Sequence, residues 1–415
     1  MTVPETNPPR HALATPAAES APGVRWTARD RRATAAVAVQ FAVNGAFFAS
    51  FLPRLPELRD ELGISTGAIG ALLTAASAVG LVSSALVRPI IARFGTRRVL
   101  FVGGLILAAG LALLGQAGSW PTALAGLIGL FLVDVFVDVA MNMQGSWLSA
   151  RRHHPIMNRL HGLWSAGSVV GGLVSARLAH TSLALHLGIT AVALAVLSSL
   201  VATQVLAVDE THGDGGSGGQ PLAGGAGVDR SHRRGVSPTP LQIGLFAGGL
   251  AAVLVEMTAI GWAAFRITDD LHGSAATAGV AYVAVVGGMT VGRFGGDHLA
   301  QRWGSDRLMR GSAVLAMAAL LVAGLIGIQV VTVAAFAAAG LGIATLTPRL
   351  YDLAARAGQG SAAGLGVLTA GIRTASILAP ASVAAMASVT SVGLALALAG
   401  IVSGLGFLAA TRSLS

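Results

Sequence analysis

Asp134, Asp138, His161, Glu256 and Arg373 are ionisable side chains set inside long apolar stretches of this 415-residue chain. An ionisable group in the middle of a bilayer costs about 2.5–3.5 kcal/mol or more, so it is expected to face a cavity or find a partner. Asp134 and Asp138 stand four residues apart, which places both on one face of a helix. Two carboxylates that close cannot both carry charge cheaply, so one of them is expected to hold a proton. A proton-coupling site needs such a group. Glu256 is expected either to join them in coupling or substrate binding, or to form a structural ion pair. Arg373 needs a partner inside its stretch: it either neutralises Glu256 or recognises the carboxylate or phosphate of an anionic substrate.

Neutral groups extend the candidate site. Asn44, Asn142, Gln144, Trp164 and Trp262 are expected to line a polar-aromatic pocket, in which amides give paired donors and acceptors and rings stack on a flat solute. Asn142 has the alternative of joining two helices by a hydrogen bond, worth about 0.6 kcal/mol on average. His161, beside Asn158 and Arg159, either titrates near neutral pH and contacts substrate or simply packs at the head of its stretch. His153-His154 lacks carboxylate or thiol company, so no metal site is expected. The chain has no cysteine, which excludes disulfides, thiolate metal sites and cysteine nucleophiles. It also has no lysine, and a phosphate-binding Gly-Lys-Ser/Thr loop cannot exist without one. No cofactor is expected. No nucleophile–base or His–His–carboxylate constellation appears, so the chain is not expected to be an enzyme; nor has it the added soluble domain of a membrane sensor.

These side chains need elements to hold them. Hydrophobic residues make up 54% of the chain and charged residues 11%, with a mean hydropathy of +0.72. A water-soluble core cannot hide that much apolar surface, so lipid must be the solvent. Apolar spans are predicted at 33–52, 67–87, 99–118, 121–147, 160–179 and 184–206, then at 240–265, 275–295, 308–328, 329–348, 362–387 and 392–411. Each is near the roughly 20 residues that a helix needs to cross the hydrocarbon. Short alternating segments, the mark of a membrane barrel, are missing. The reading is an all-α integral membrane protein of about twelve transmembrane helices. Its domains are a polar, disordered tail (1–32), a six-helix half (33–207), a Gly/Ser/Asp-rich linker (208–239) and a second six-helix half (240–415).

The arginines sort by side. With the N-terminus inside, only Arg54, Arg59, Arg177 and Arg266 fall outside, and the remaining loops and both termini carry the rest, Arg373 apart. That is the distribution expected of cytoplasmic loops. It also accounts for the net charge of +9 without nucleic acid as a partner. No apolar stretch precedes the basic tail, so it does not read as a signal peptide. Small residues at four-residue spacing, Gly167/Gly171, Gly288/Gly292/Gly296 and Gly400/Gly404, are expected to let helices approach closely.

Two loops at equivalent places in the halves carry related segments. The first reads Arg88-Pro-Ile-Ile-Ala92-Arg93-Phe-Gly95-Thr-Arg97-Arg98, the second Gly292-Arg293-Phe-Gly-Gly296-Asp297 through Gln301-Arg302-Trp-Gly304-Ser-Asp306-Arg307. Both resemble the major facilitator loop signature, Gly-x-x-x-Asp-Arg-x-Gly-Arg-Arg, with Ala92 and Gln301 at the acidic position. The segments Asp138-Val-Ala-Met141-Asn142-Met-Gln144 and Arg159-Leu-His161-Gly162-Leu-Trp164-Ser165-Ala-Gly167, with Glu256, Trp262, Pro348 and Pro380, are similar to the fucose-permease-like branch and its YbjJ-type inner-membrane proteins.

The resemblance implies the major facilitator fold, two six-helix halves about a midplane site, and secondary transport by alternating access. It implies that Asp138 is the proton-coupling acid of the fourth span. It further implies gating loops in which Arg93, Gly95, Arg97, Arg293, Asp297, Arg302 and Gly304 take part, with Arg293 and Asp297 able to pair at i, i+4. Asn44 stands where sugar transporters of the family can carry an aspartate. The expected function is proton-coupled transport of a small polar solute; the alternative is proton-driven efflux of a drug or secondary metabolite. Expected partners are the solute, protons and membrane lipid, and the expected state is a monomer in a bacterial plasma membrane.

Overall fold

The computed structural model describes residues 26–152, 156–207, 239–357 and 363–412, and of Asn158, Asp297, Asp352, 355–357 and 363 the backbone alone. The predicted tail before residue 26 and the linker at 208–238 lie outside the described residues, as do His153 and His154. Among the described residues there are helices and no strands.

The first half comprises α1 (Ala28–Phe51), the short α2 (Leu55–Glu61), α3 (Thr66–Ser83), α4 (Val87–Gly115), α5 (Trp120–Arg152), α6 (Met157–Arg177) and α7 (Leu183–Gln204). The second comprises α8 (Pro240–Phe265), α9 (Ala275–Trp303), α10 (Ser305–Leu325), α11 (Gln329–Ile343), α12 (Leu346–Ala357), α13 (Ala363–Val389) and α14 (Val392–Arg412). A five-residue π-helical turn, Arg266–Asp270, continues α8.

Ten helical runs among the described residues are long and apolar enough to cross a membrane. One of them, Thr66–Gly115, is α3 and α4 taken together. Another helix, α6, falls short because Arg159, His161 and its serines and glycines dilute its apolar character. Counting that run as two and adding α6 gives the twelve expected crossings.

Helix α1 begins at Ala28, earlier than the predicted 33, because Thr27 and Asp30 form a reciprocal capping box ahead of the apolar run. Thr239 and Gln242 do the same for α8, with Pro240 as the first helical residue. The Asp30 carboxylate also accepts from Arg151 at 2.8 Å, tying α1 to the end of α5.

Helix pairings repeat between the halves. In the first, α1 packs on α6 and α4 on α5 and α7; in the second, α8 packs on α13 and α10 on α11 and α14. The halves meet along α3–α13 and α6–α9. Close approach rests on the small residues: a Cβ at Gly167 would lie 2.0 Å from the Ala42 carbonyl oxygen, and one at Gly371, the corresponding place in the second half, 2.1 Å from that of Phe246. Gly288 and Gly404 are similarly crowded, by the Ala337 carbonyl and the Met317 side chain. The repeat reaches the loops: Gly95 (φ 71, ψ 157) and Gly304 (φ 81, ψ 141) share a left-handed backbone that a side chain would strain.

Candidate functional site

The polar side chains of the bundle interior come from α1, α5 and α6 in one half and from α8, α9 and α13 in the other. Asn44 on α1 donates from Nδ2 to Asp134 Oδ1 at 2.7 Å. The same amide accepts from Trp164 Nε1 on α6 at 2.8 Å. One buried asparagine therefore serves a carboxylate and an indole at once, which fixes its amide orientation.

One turn along α5, Asn142 donates from Nδ2 to the Asp138 carbonyl at 2.8 Å and to Asp138 Oδ1 at 3.0 Å. Both bonds lie within α5, so among the described residues Asn142 is held by its own helix. Asp134 and Asp138 sit near enough for the charge of the second to act on the first. Both remain partly accessible, as does Glu256. Asp138 and Arg373 also lie within electrostatic range of Tyr351 on α12, whose hydroxyl is hydrogen-bonded with Thr369.

Glu256 has an arginine partner, though not the expected one. Arg293 Nη2 lies 3.6 Å from Glu256 Oε1, with side-chain exposures of 26% and 15%. Arg293 also donates from Nη1 to Ser165 Oγ at 2.8 Å and stands 6.0 Å from the centre of the Trp164 ring. The sequence reading placed Arg293 in a gating loop; α9 instead continues past it to Trp303, ten residues further, so Arg293 points into the interior. The side chain of its expected partner, Asp297, lies outside the described residues. Arg373 donates from Nη1 to Ser84 Oγ, while Glu256 is paired with Arg293. Arg293 and Arg373 each stand ten residues from the arginine-rich end of their helices. Each crosses from the second half to a serine of the first.

Other candidates are placed elsewhere. Gln144 is fully buried and donates from Nε2 to Thr96 Oγ1 at 2.8 Å and to the Leu206 carbonyl at 2.9 Å. Its Oε1 accepts from Leu206 N at 3.1 Å, so it fastens α5 to the end of α7 rather than lining the interior. Trp262 is 2% exposed and packs against Phe265, ring centres 5.0 Å apart, at the arginine-poor end of α8. His161 is accessible and meets Phe41 edge-on at 5.2 Å. Arg97 donates to the Ala202 and Thr203 carbonyls at 2.9 and 3.3 Å. Arg302 and Gly304 lie exposed at the end of α9, and Arg93 lies exposed inside α4, just before the non-helical kink at Gly95.

Residues that the sequence reading did not single out complete the picture. Gln40, one turn from Asn44 on the same face of α1, is fully buried, and neither of its amide atoms is bonded among the described residues. A polar side chain inside an apolar span was the available signal. At the arginine-poor end, Arg59 of α2 grips Asp269 of the π-helical turn with both Nη atoms, one contact at 3.0 Å, and lies over Phe265 at 5.4 Å. Between this end and the polar interior, Ala49, Tyr282 and Val286 form a small apolar cluster joined by Ile260 and Val169.

The sequence pattern of the Major Facilitator Superfamily matches residues 37–258, more than half of the chain. The chain belongs to that superfamily. An uncharacterised MFS-type transporter of Yersinia pestis is 26% identical over 378 residues, covering 90% of this chain and 88% of its own. Among solved structures, the nucleoside transporter NupG superposes with a TM-score of 0.70 at 12% identity, covering 93% of this chain and 99% of its own. The fucose:proton symporter FucP of E. coli superposes with a TM-score of 0.58 at 16% identity, covering 91% and 97%. The protein is thus a multi-pass membrane transporter of the superfamily with a small-molecule substrate, and its relatives are carriers, not enzymes.

Proposed function

We propose that this member of the superfamily is a proton-coupled carrier of a small polar solute, working by alternating access between its two halves. The observation that carries the reading is one polar chain reaching across both halves: Asp134 to Asn44, Asn44 to Trp164, Trp164 to Arg293, Arg293 to Glu256. A carboxylate pair at one end and an ion pair at the other give protonation a route to bias the contact between the halves. Asp138 is assigned the exchangeable proton, Asp134 its electrostatic neighbour, and Glu256 the group whose pairing with Arg293 follows the solute or the proton.

For the substrate class, the superposable carriers are a nucleoside transporter and a fucose:proton symporter. Both are polyhydroxylated, and a site offering carboxylates, amides and a guanidinium suits hydroxyl groups. We also assign the chain to the fucose-permease-like branch, near its YbjJ-type members, on the segments Asp138–Gln144 and Arg159–Gly167. The arginine-rich face and both termini are assigned to the cytoplasm of a bacterial inner membrane, the carrier acting as a monomer with Arg97 and Gly95 in a loop that moves with the halves.

The test is flux of labelled sugars and nucleosides into proteoliposomes with and without an imposed pH gradient. Gradient-driven accumulation that Asp138→Asn abolishes, while solute exchange at equal pH survives, is the expected result. Accumulation indifferent to the gradient would remove the coupling role. Net extrusion of apolar compounds with no sugar or nucleoside flux would replace uptake by efflux.

A further inference from the structure

We propose that the basic segment Arg88–Arg98, where α4 breaks its helical course at Gly95, forms a binding site for the anionic headgroup of a membrane phospholipid. A cavity of about 910 Å³ opens at the arginine-rich end of the first half, lined by Arg93, Arg97 and Arg98 together with Phe94, Phe101 and Trp147. No acidic side chain lines it among the described residues. The loop's own acidic position is Ala92, so nothing within the segment neutralises the three guanidinium groups. Arg93 and Arg98 form no ion pair among the described residues.

Arg97 is held differently. Its bonds to the Ala202 and Thr203 carbonyls use two of its five donors and anchor the guanidinium at the rim. The turn at Gly95, with φ at 71°, folds the chain back so that Arg93 and Arg97–Arg98 flank one opening. A loop that served only to keep positive charge on one side would need neither the concavity nor the aromatic floor.

The apolar wall distinguishes a lipid from a soluble anion. Phe101, Val102, Leu105 and Ile106 are all at least 40% exposed and run up α4 directly from the cavity. In a membrane that stripe faces acyl chains, so a molecule with an anionic head and an apolar tail satisfies both surfaces at once. Free phosphate or a nucleotide would satisfy the arginines alone. Basic pockets beside transmembrane helices bind anionic headgroups by this combination of charge and shelter.

The full chain, purified in detergent and titrated with dioleoylphosphatidylglycerol by native mass spectrometry, tests the site. Arg93→Gln and Arg98→Gln should each weaken the retained adduct by about fivefold, the effect of one surface charge on lipid affinity. Trp147→Ala should weaken it as well, and Arg307→Gln, in the corresponding loop of the second half, should not. Dioleoylphosphatidylcholine should bind no better to the wild type than to the Arg93→Gln, Arg98→Gln double variant. Elution volume and melting midpoint check that each variant folds, and Arg93→Lys, Arg98→Lys keeps the charge if the neutral variant fails. Unchanged phosphatidylglycerol binding in the arginine variants would overturn the proposal. So would an equal loss in Arg307→Gln, which would mean diffuse surface charge, or full displacement by millimolar inorganic phosphate, which would mean a free-anion site.

Discussion

Asn44 satisfies two groups at once, and that makes it the most exposed point of the site to mutation. Asn44→Ala leaves both the Asp134 carboxylate and the Trp164 indole without their observed partner. Leaving a buried polar group unbonded costs about 1–3 kcal/mol, so the melting midpoint of the purified protein should fall by several degrees. Gln40 predicts the opposite sign. Its amide is buried with no bond among the described residues, and Gln40→Leu replaces it by an apolar group of similar size, so the midpoint should hold or rise. A clear fall would mean that the amide has a partner in the functioning protein, such as solute or water. Arg293 and Glu256 should behave as a unit: Arg293→Gln alone strands a carboxylate in the interior, and adding Glu256→Gln should recover much of the lost stability. Additive losses in the double variant would mean that the two do not interact.

At the scale of helices, two kinds of contact hold the halves. The first is steric. Gly167 sits so close to α1 that a side chain has no room, and Gly167→Val should destabilise by at least the roughly 1–3 kcal/mol typical of overpacking. The same change at the open Gly188, where a Cβ would meet nothing within 4 Å, should matter little; urea or thermal melts of the two variants compare them directly. The second is polar and reversible. Arg59 and Asp269 join the halves at the arginine-poor end with side chains only 14% and 20% exposed. Because the chain carries no cysteine, a reporter is simple to build. In an Ile260→Cys background, adding Asp269→Asn should raise maleimide labelling from the arginine-poor side several-fold, since the apolar cluster beneath would open more often. No change in labelling would mean that Arg59–Asp269 does not control closure.

For the whole molecule, the expectation that governs everything else is sidedness. Arg302→Cys, exposed at the arginine-rich end, should be labelled by a membrane-impermeant maleimide only after cells are opened, whereas Ser119→Cys, exposed at the other end, should be labelled in intact cells. The reverse pattern would invert the layout and the direction of any proton-driven flux. The interior contacts suit a rocking carrier. Arg293 crosses to Ser165, a neutral hydroxyl whose bond to arginine is easier to exchange than an ion pair.

Much of this could be read from the chain itself. Hydropathy set most of the spans, because in hydrocarbon a chain satisfies its backbone by coiling; the polar α6 and the capped start of α1 needed more. The proximity of Asp134 to Asp138 and the expectation that Glu256 finds a partner follow from local spacing and from the cost of charge in lipid. Which side chain answers which was not local information. Arg293 lies well inside α9 because that helix runs on to Trp303, and its partners Glu256, Ser165 and Trp164 come from two other helices and the opposite half. Gln144 looked like a pocket residue because an amide in an apolar span must bond somewhere; only the packing of α5 against the end of α7 showed where. Composition and periodicity determine what must be buried, whereas the three-dimensional crossing of helices decides which buried groups meet.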